Sequence, residues 1–296
     1  MNLFDKVQTA RHLQTREDLS HIEDDWIIEG LIPTAQAGVL IAPMKSMKSS
    51  VTMQMAEDVS TGNHFFGLKT KQVKTLILDN EDTDRELNKR LRNKREASDD
   101  LYFLTGGEFK LDNHYHMQLL SKFIKDNNIK FVIFDNLMTM FPKSKLYTDE
   151  FGAMLDKITT MKLFFQDVTF IIVAHANKAV YAQSMREKSF EVNPAEALGG
   201  SELTAWAEFM LILSPKQGNH HKYSKLTVEA RGYQFEDDLN FAYVDSVFTC
   251  VNKSKKEPDS ELVEEVKKQT PLEVTKESAQ AFLDLVKEQG KVIEND

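Results

Sequence analysis

The chain has 296 residues, of which 41% are apolar, and it carries a net charge of −9 and a single cysteine. This length allows one large α/β domain with appendages or two small domains, and the lone cysteine excludes an intrachain disulfide and a cysteine-based zinc site. Because no apolar run approaches the roughly 20 residues of a membrane-spanning helix, we expect a cytoplasmic protein with no membrane partner.

Apolar runs alternate with helix-length segments after a polar leader at residues 1–24. The runs are apolar throughout, which is typical of strands that are buried on both faces. Helix-length segments between them predict right-handed βαβ units and a mainly parallel sheet flanked by helices. The predicted strands are residues 38–41, 75–78, 101–104, 131–134 and 168–173. The predicted helices are residues 49–60, a charged segment that ends near residue 96, residues 113–126 and residues 149–165.

The pattern changes after residue 205 to short strands near residues 209–213, 225–229 and 241–244. These predict an antiparallel extension of the sheet on its C-terminal side. Residues 254–296 are rich in charge, and their apolar residues follow helical periodicity on both sides of Pro271. We therefore expect a leader at residues 1–24, a core domain at 25–253 and a charged helical tail at 254–296.

The segment after the first predicted strand partly matches the phosphate-binding pattern G-x-x-x-x-G-K-[ST]. In such a loop, backbone amides wrap around phosphates at a helix N-terminus, the lysine reaches the β- and γ-phosphates, and the hydroxyl binds Mg²⁺. A Lys/Ser turn before a helix is the alternative, but the preceding strand and a later strand that ends in Asp135 favour phosphate binding. The predicted nucleotide-binding residues are Ala42, Pro43, Met44, Lys45, Ser46, Met47, Lys48, Ser49 and Ser50.

Two residues of this loop depart from the pattern, because Ala42 and Met47 stand where glycines belong. Ala42 is a mild change. If the position of Met47 requires a positive φ, a residue other than glycine costs on the order of 1 kcal/mol there. That cost is small beside the binding energy of a nucleotide held at several points, so we expect binding to survive and the rate of turnover to be the affected property.

With residues 26–33 (WIIEGLIP), the Lys-Ser-x-Lys-Ser loop, the acids at the strand ends and a later histidine and arginine, the chain resembles the RecA-like superfamily of P-loop ATPases. Residues 26–251 are most similar to the branch that holds the RepA-type hexameric plasmid helicases and related phage and mobile-element ATPases. The resemblance implies a RecA-like P-loop core that uses ATP and Mg²⁺. It also implies a homo-oligomeric ring, with a hexamer favoured, that acts on single-stranded DNA.

The resemblance assigns catalytic roles to Glu81, Lys48, His175 and Arg231, and metal binding to Ser49 and Asp135. Glu81 falls at the catalytic glutamate, Asp135 at the Walker B acid, and His175 at the residue that senses the γ-phosphate. Arg231 falls where related enzymes reach the nucleotide of a neighbouring subunit. Phosphoryl transfer itself needs a carboxylate that holds Mg²⁺ and one that orients or deprotonates water, which Asp135 and Glu81 would supply. Other interpretations stay open here, because Asp79 and Asp82 are equally available acids and His175 and Arg231 are residue types common on surfaces.

Two segments mix cations with aromatic residues, as a site that follows a nucleic-acid backbone and stacks bases would. In RecA-type motors, loops after the fourth and fifth strands bind nucleic acid. Solvated loops are the alternative, and the acidic net charge excludes neither interpretation. The predicted DNA-binding residues are Lys143 and Lys145 in the first segment and Lys178, Arg186 and Lys188 in the second.

The leading functional hypothesis is a ring-forming ATPase that moves along single-stranded DNA in plasmid, phage or mobile-element replication or recombination. A second is a nucleotide-regulated DNA-binding or loader protein with weak or absent hydrolysis, which the substitution at Met47 favours. A kinase-like enzyme is disfavoured because the sequence shows no separate lid for a phosphate acceptor.

Overall fold

The computed structural model describes residues 9–11, 15, 25–92, 98–177, 191–217, 222–231, 233, 238–244 and 247–250. Most of the predicted leader and the whole of the predicted tail lie outside these residues. The division of the chain into three parts therefore stays a prediction.

Each predicted strand is present among the described residues, and three further strands, at Trp26–Ile28, Ile32–Pro33 and Val247–Cys250, are not predicted from the sequence. Several strands continue beyond the predicted apolar runs, and three of these end on Asp79, Asp135 and His175, which also pair with the neighbouring strand. The strands are β1 (Trp26–Ile28), β2 (Ile32–Pro33), β3 (Ala37–Ala42), β4 (Thr75–Asp79), β5 (Leu101–Leu104), β6 (Phe131–Asp135), β7 (Thr169–His175), β8 (Phe209–Gln217), β9 (Lys222–Ala230), β10 (Leu239–Val244) and β11 (Val247–Cys250).

The helices lie between the parallel strands, as the sequence predicts. The Asn113 side chain accepts hydrogen bonds from the amides of Tyr115 and His116, which fixes the start of the third helix. None of the helices in the described residues is long and apolar enough to cross a membrane. The helices are α1 (Lys48–Thr61), α2 (Asp84–Arg92), α3 (His114–Asn127), α4 (Leu137–Met140), α5 (Asp149–Phe165) and α6 (Gly200–Trp206).

A nine-stranded sheet runs through the described residues in the order β11-β10-β9-β8-β3-β7-β6-β4-β5. The six strands from β8 to β5 are parallel to one another, and β9, β10 and β11 continue the sheet by antiparallel pairing. The predicted fold class, a mainly parallel sheet flanked by helices with an antiparallel extension on the C-terminal side, is confirmed.

Helices cover both faces of the parallel strands, which explains why the strands are apolar throughout. One face packs against α1 and the β1–β2 hairpin, and the other packs against α3 and α5. Strand residues on the α1 face include Leu40, Ile77, Ile133 and Ile171, and those on the α3 and α5 face include Ile41, Leu78, Phe134 and Ile172. The sheet edge that carries the site is therefore held rigidly between two layers of helix.

Gly38 allows β3 and β8 to pair closely in the middle of this sheet. Gly38 is paired with Phe209, whose ring is fully buried over the glycine. A Cβ atom at position 38 would lie 2.4 Å from that ring, closer than real contacts permit. A larger residue here would displace Phe209 and shift β3, the strand that leads into the phosphate loop.

Candidate nucleotide-binding site

The predicted site residues meet at one edge of the sheet, where the parallel strands end. Asp135 at the end of β6 is paired with Asp79 of β4 and with Val173 of β7. His175 at the end of β7 is paired with Ala42, the last residue of β3. The fold thus brings together residues that are more than 130 positions apart in the chain, and it does so at the edge where ligands bind in open α/β sheets.

The loop between β3 and α1 adopts a tight turn with two residues in the left-handed region. Lys45 has φ 61°, and Met47 has φ 65° and ψ 20°. The Ser46 hydroxyl donates to the Pro43 carbonyl at 2.7 Å, which holds the turn closed. Position 47 therefore has a positive φ, and Met47 adopts this conformation although its Cβ atom makes it less favourable than it would be for glycine.

The N-terminus of α1 is open to an anion. Met47 precedes the helix and makes no side-chain hydrogen bond to its first amides, and the first turn contains no acidic residue. Unpaired amides and the positive end of the helix dipole favour a phosphate at this position. The backbone arrangement of a phosphate-binding loop is thus present although both pattern glycines are replaced.

Lys48 and Asp135 form a buried pair of opposite charges beside this loop, with residual exposures of 7% and 3%. Burial raises the pKa of Asp135 to about 6, and the nearby acids Asp79 and Glu81 also raise it. The Lys48 ammonium and the Ser49 hydroxyl act in the opposite direction. Burial thus disfavours the ionised form of Asp135, and a positive partner favours it.

One oxygen of Asp135 is available for such a partner. The Thr52 hydroxyl donates to Oδ2 at 3.4 Å, whereas the buried Oδ1 has no hydrogen-bond partner among the described residues. A buried acceptor without a partner is costly, and a metal ion or a water molecule bound to it would satisfy this one. The chemistry of Asp135 and Ser49, two oxygen donors beside a phosphate loop, suits Mg²⁺.

The acids after β4 are not equivalent. Oδ1 of the buried Asp79 accepts hydrogen bonds from the amides of Glu81 and Asp82, at 2.8 and 2.9 Å. Asp82 is engaged by Arg90, with Nη1 at 2.6 Å from Oδ2 and Nη2 at 3.1 Å from Oδ1. Glu81 is exposed, and its carboxylate has no partner within the described part of the chain. The acids that look equally available in the sequence thus have separate environments.

His175 lies near both Lys48 and Glu81. Burial and, after it, the positive charges of Lys48 and Lys143 lower its pKa to about 4, although Glu81 acts in the opposite direction. Its Nδ1 atom is buried with no hydrogen-bond partner in the described residues. The imidazole is therefore neutral at pH 7, so it could donate only one ring hydrogen bond to a ligand.

Arg231 and the phosphate loop lie at opposite ends of the parallel strands. Arg231 follows Ala230, which is paired with Phe209, and Phe209 is paired with Gly38 near the start of β3. Four more residues of β3 follow Gly38 before the phosphate loop begins. At about 3.3 Å per residue, Gly38 and the paired end of β9 therefore lie about 13 Å from the loop along the strand direction. The exposed guanidinium donates to the Ala205 carbonyl. Arg231 is therefore not part of the phosphate site of its own chain.

Comparisons with known proteins place this geometry in a family. The family described as "AAA domain" matches residues 8–180, which is more than half of the chain. The chain belongs to the AAA domain family. No curated protein sequence matches it.

Among solved structures, the KaiC-like protein of the hyperthermophilic archaeon Pyrococcus horikoshii OT3 matches the fold of this AAA domain. The TM-score is 0.56 at 12% sequence identity, and the match covers 76% of this chain and 94% of the other. At this identity the likeness concerns the fold alone. Family and fold together make the chain a RecA-like P-loop ATPase.

The cations predicted to bind DNA have different surroundings in the AAA domain. Lys143 is exposed after α4 and is close enough to His175 to lower the histidine pKa. Lys145 is 2.6 Å from Glu150 and 3.5 Å from Asp112, so its charge is balanced within the chain. Of the two, Lys145 is the one that is paired with acids among the described residues. Lys178, Arg186 and Lys188 lie outside the described residues.

Two residues that shape the site, Thr52 and Arg90, are not predicted from the sequence, and Asp79 is predicted there only as one of several available acids. Thr52 donates to Asp135, Asp79 holds the loop after β4, and Arg90 pairs with Asp82. Thr52 carries a signal that could have been found, since it stands three positions after Ser49 on the same helix and faces the same way. The pairing of Arg90 with Asp82 has no comparable signal, because it depends on how α2 packs after the loop.

Proposed function

We propose that this RecA-like ATPase hydrolyses ATP to move along single-stranded DNA as a ring of identical subunits, most similar to the RepA-type helicases. Its biological setting would be plasmid, phage or mobile-element replication or recombination. The observation that carries the proposal is the cluster of Lys48, Asp135 and Glu81 around an open helix N-terminus.

Each residue of the site would have a separate role in phosphoryl transfer. The amides of residues 45–50 and the Lys48 ammonium would bind the β- and γ-phosphates, and Ser49 and Asp135 would hold Mg²⁺. Mg²⁺ bound here would neutralise the charge that develops on the phosphate oxygens. Glu81, whose carboxylate is not engaged elsewhere among the described residues, would orient the attacking water and accept its proton. The neutral His175 would hydrogen-bond the γ-phosphate.

The position of Arg231 favours a site shared between subunits. Because Arg231 lies about 13 Å along the strand direction from the phosphate loop of its own chain, it would act only on the nucleotide of a neighbouring chain. Each active site in the ring would then combine Lys48, Asp135 and Glu81 of one subunit with Arg231 of the next.

Mixing two inactive variants tests this arrangement. Arg231→Ala and Lys48→Ala should each abolish turnover alone, whereas a mixture should recover part of it, since some interfaces contain both intact residues. Lys122→Ala is a control, because Lys122 is exposed on α3 and pairs with Asp126 of the same helix. A mixture without recovered activity, or a chain that stays monomeric with ATP and single-stranded DNA, would contradict the shared site.

The DNA substrate is tested by measuring ATP turnover with and without single-stranded DNA. We expect stimulation that disappears in Lys143→Ala but persists in Lys145→Ala, since Lys145 is neutralised by Glu150 and Asp112. Salt should weaken DNA binding of the wild type more steeply than that of Lys143→Ala, because one phosphate contact is lost. Turnover that does not respond to DNA would contradict the motor function.

A second candidate function is a nucleotide-regulated DNA-binding or loader protein with weak or absent hydrolysis. Lys45 and Met47 favour it, because both hold a left-handed conformation with a side chain that glycine lacks. Tight ATP binding with no turnover, in the presence of DNA that the protein retains, would establish this function in place of the first.

We also propose that residues 25–253 form the ATPase domain, with a leader at 1–24 and a charged tail at 254–296, and that the protein works in the cytoplasm. Limited proteolysis followed by mass spectrometry would test the boundaries. The expected result is a stable fragment that begins near residue 25, ends near residue 253 and retains ATP binding.

A further inference from the structure

The loop after β4 is held at its start by Asp79. The Asp79 carboxylate accepts from two consecutive amides, those of Glu81 and Asp82, at 2.8 and 2.9 Å. This is a local turn in which a side chain replaces the backbone acceptor, and burial of Asp79 makes it rigid. The backbone of Glu81 is thereby fixed, but the loop is still free to pivot on its far side.

Arg90 closes that far side. Its Nη2 atom donates to Asp82 Oδ1 at 3.1 Å, and its Nη1 atom lies 2.6 Å from Oδ2 in an ion-pair contact without hydrogen-bond geometry. The Asp82 side chain is only 13% exposed and that of Arg90 is 38% exposed, so water screens the pair incompletely. Arg90 therefore connects the loop to helix α2, eight residues further along the chain.

Helix α2 has a capped N-terminus, which fixes where the helix begins. Thr83 and Glu86 form a reciprocal cap, in which the Thr83 amide donates to Glu86 Oε2 at 3.0 Å and the Glu86 amide donates to the Thr83 hydroxyl at 3.4 Å. Leu87 is the buried residue of this helix. The helix that carries Arg90 therefore starts at a defined point, directly after Asp82.

Glu81 lies between Asp79 and Asp82, whose carboxylates already have partners. Asp79 bonds the backbone and Asp82 bonds Arg90, whereas Glu81 acts through space on Asp135 and His175. If Asp82 lost Arg90, its partly buried carboxylate would lose the positive charge that lowers its pKa, and the loop would lose its connection to α2 and shift. Glu81 would move with it.

We propose that Arg90 is a positioning residue for ATP hydrolysis, which pins Asp82 to helix α2 and so holds Glu81 at the attacking water. This inference rests on the proposed function of Glu81. Arg90 touches neither nucleotide nor metal in this scheme, so it affects the catalytic step and leaves nucleotide binding alone. The guanidinium contacts Asp82 through two nitrogens, whereas a lysine ammonium is a single point charge on a flexible stem and would hold Asp82 less firmly.

Four variants of the full chain test the inference: Arg90→Ala, Arg90→Lys, Asp82→Asn and the double variant with Arg90→Ala and Asp82→Asn. The control is Arg85→Ala, an exposed arginine on the same helix. We expect Arg90→Ala to lower kcat at least tenfold with the Kd for Mg·ATP changed less than twofold, since small misplacement of a catalytic group costs up to about 10²-fold. Arg90→Lys should recover only part of the loss, and Arg85→Ala should match the wild type.

The double variant separates a specific pair from general damage. If the pair acts as a unit, removing both partners lowers kcat no further than removing either one. Asp82→Asn keeps the size of the side chain, so it tests the pair even if Arg90→Ala fails to fold. Loss of ATP affinity in parallel with kcat in both Asp82→Asn and Arg90→Lys would overturn the inference, as would multiplicative effects in the double variant.

A Glu81→Gln variant measured in the same assay distinguishes the two levels of the proposal. If Glu81→Gln lowers kcat about 10²-fold while Arg90→Ala behaves like Arg85→Ala, the role of Arg90 is wrong and that of Glu81 stands. If Glu81→Gln turns over ATP like the wild type, the role of Glu81 is wrong and the inference about Arg90 is overturned with it.

Discussion

Replacement of Met47 by glycine tests whether the unusual phosphate loop is strained. Met47 holds φ 65° and ψ 20°, where the Cβ of an L-residue crowds the following carbonyl at a cost of about 1–2 kcal/mol. Glycine removes that cost but returns roughly 0.5–1 kcal/mol through the greater freedom of the unfolded chain. The net expectation is a free energy of unfolding between unchanged and about 1.5 kcal/mol higher, or a rise in Tm of no more than about 6 °C.

The effect on catalysis follows from the same geometry. Without the Cβ atom, the amide of residue 47 can approach a phosphate more closely. If relief of this strain lowers the activation free energy by up to about 1 kcal/mol, kcat rises by up to about fivefold. We therefore expect ATP turnover of Met47→Gly to equal or exceed that of the wild type. Steady-state ATPase assays at saturating Mg·ATP and thermal unfolding without nucleotide measure the two quantities.

Met47→Ala is the matched control, because it keeps the Cβ atom and the strain while it removes the long side chain. It should resemble the wild type in stability and turnover. If both variants lose turnover by tenfold or more, the methionine side chain is itself part of the site. If only Met47→Gly loses turnover, the loop depends on the restriction that a Cβ atom imposes, and the argument from strain is refuted.

Three further substitutions examine the remaining roles. Lys48→Ala should abolish Mg·ATP binding in calorimetry while the fold survives, and an affinity like that of the wild type would refute the assignment of the site. Glu81→Gln should keep nucleotide affinity and lower kcat by roughly 10²-fold, the scale of a lost general base, and the same loss in Asp79→Asn but not in Glu81→Gln would identify another acid. His175→Gln should retain more turnover than His175→Ala, and wild-type turnover should show no step from this histidine between pH 6 and 8. The reason is that a pKa lowered to about 4 keeps the imidazole neutral there, and a neutral amide also donates one hydrogen bond to a phosphate.

The sequence by itself determined the order and type of the elements around the site. The uniformly apolar runs predicted strands buried on both faces, and α5 occupies residues 149–165 as predicted. The Lys48–Ser49 pair after an apolar strand predicted a phosphate loop, and Asp135 after a second strand predicted its partner. These features are readable because burial on two faces and the opening of a helix depend on residues that are neighbours in the chain.

The sequence did not decide which of Asp79, Glu81 and Asp82 is the catalytic acid, because their side chains differ little and all three follow the predicted strand at residues 75–78. Only packing separates them: Asp79 turns back onto the loop amides, Asp82 meets Arg90, and Glu81 has no partner among the described residues. The same holds for the two cations after β6, where folding brings Glu150 and Asp112 to Lys145 and leaves Lys143 exposed.

The tertiary structure also decided where Arg231 lies. Its position depends on β9 running antiparallel to β8, which carries the end of β9 to the edge away from the phosphate loop. The sequence predicted the antiparallel extension but not its register, because the alternation of side chains along a strand does not show which residues pair across it. The sequence could therefore name the arginine but could not place it.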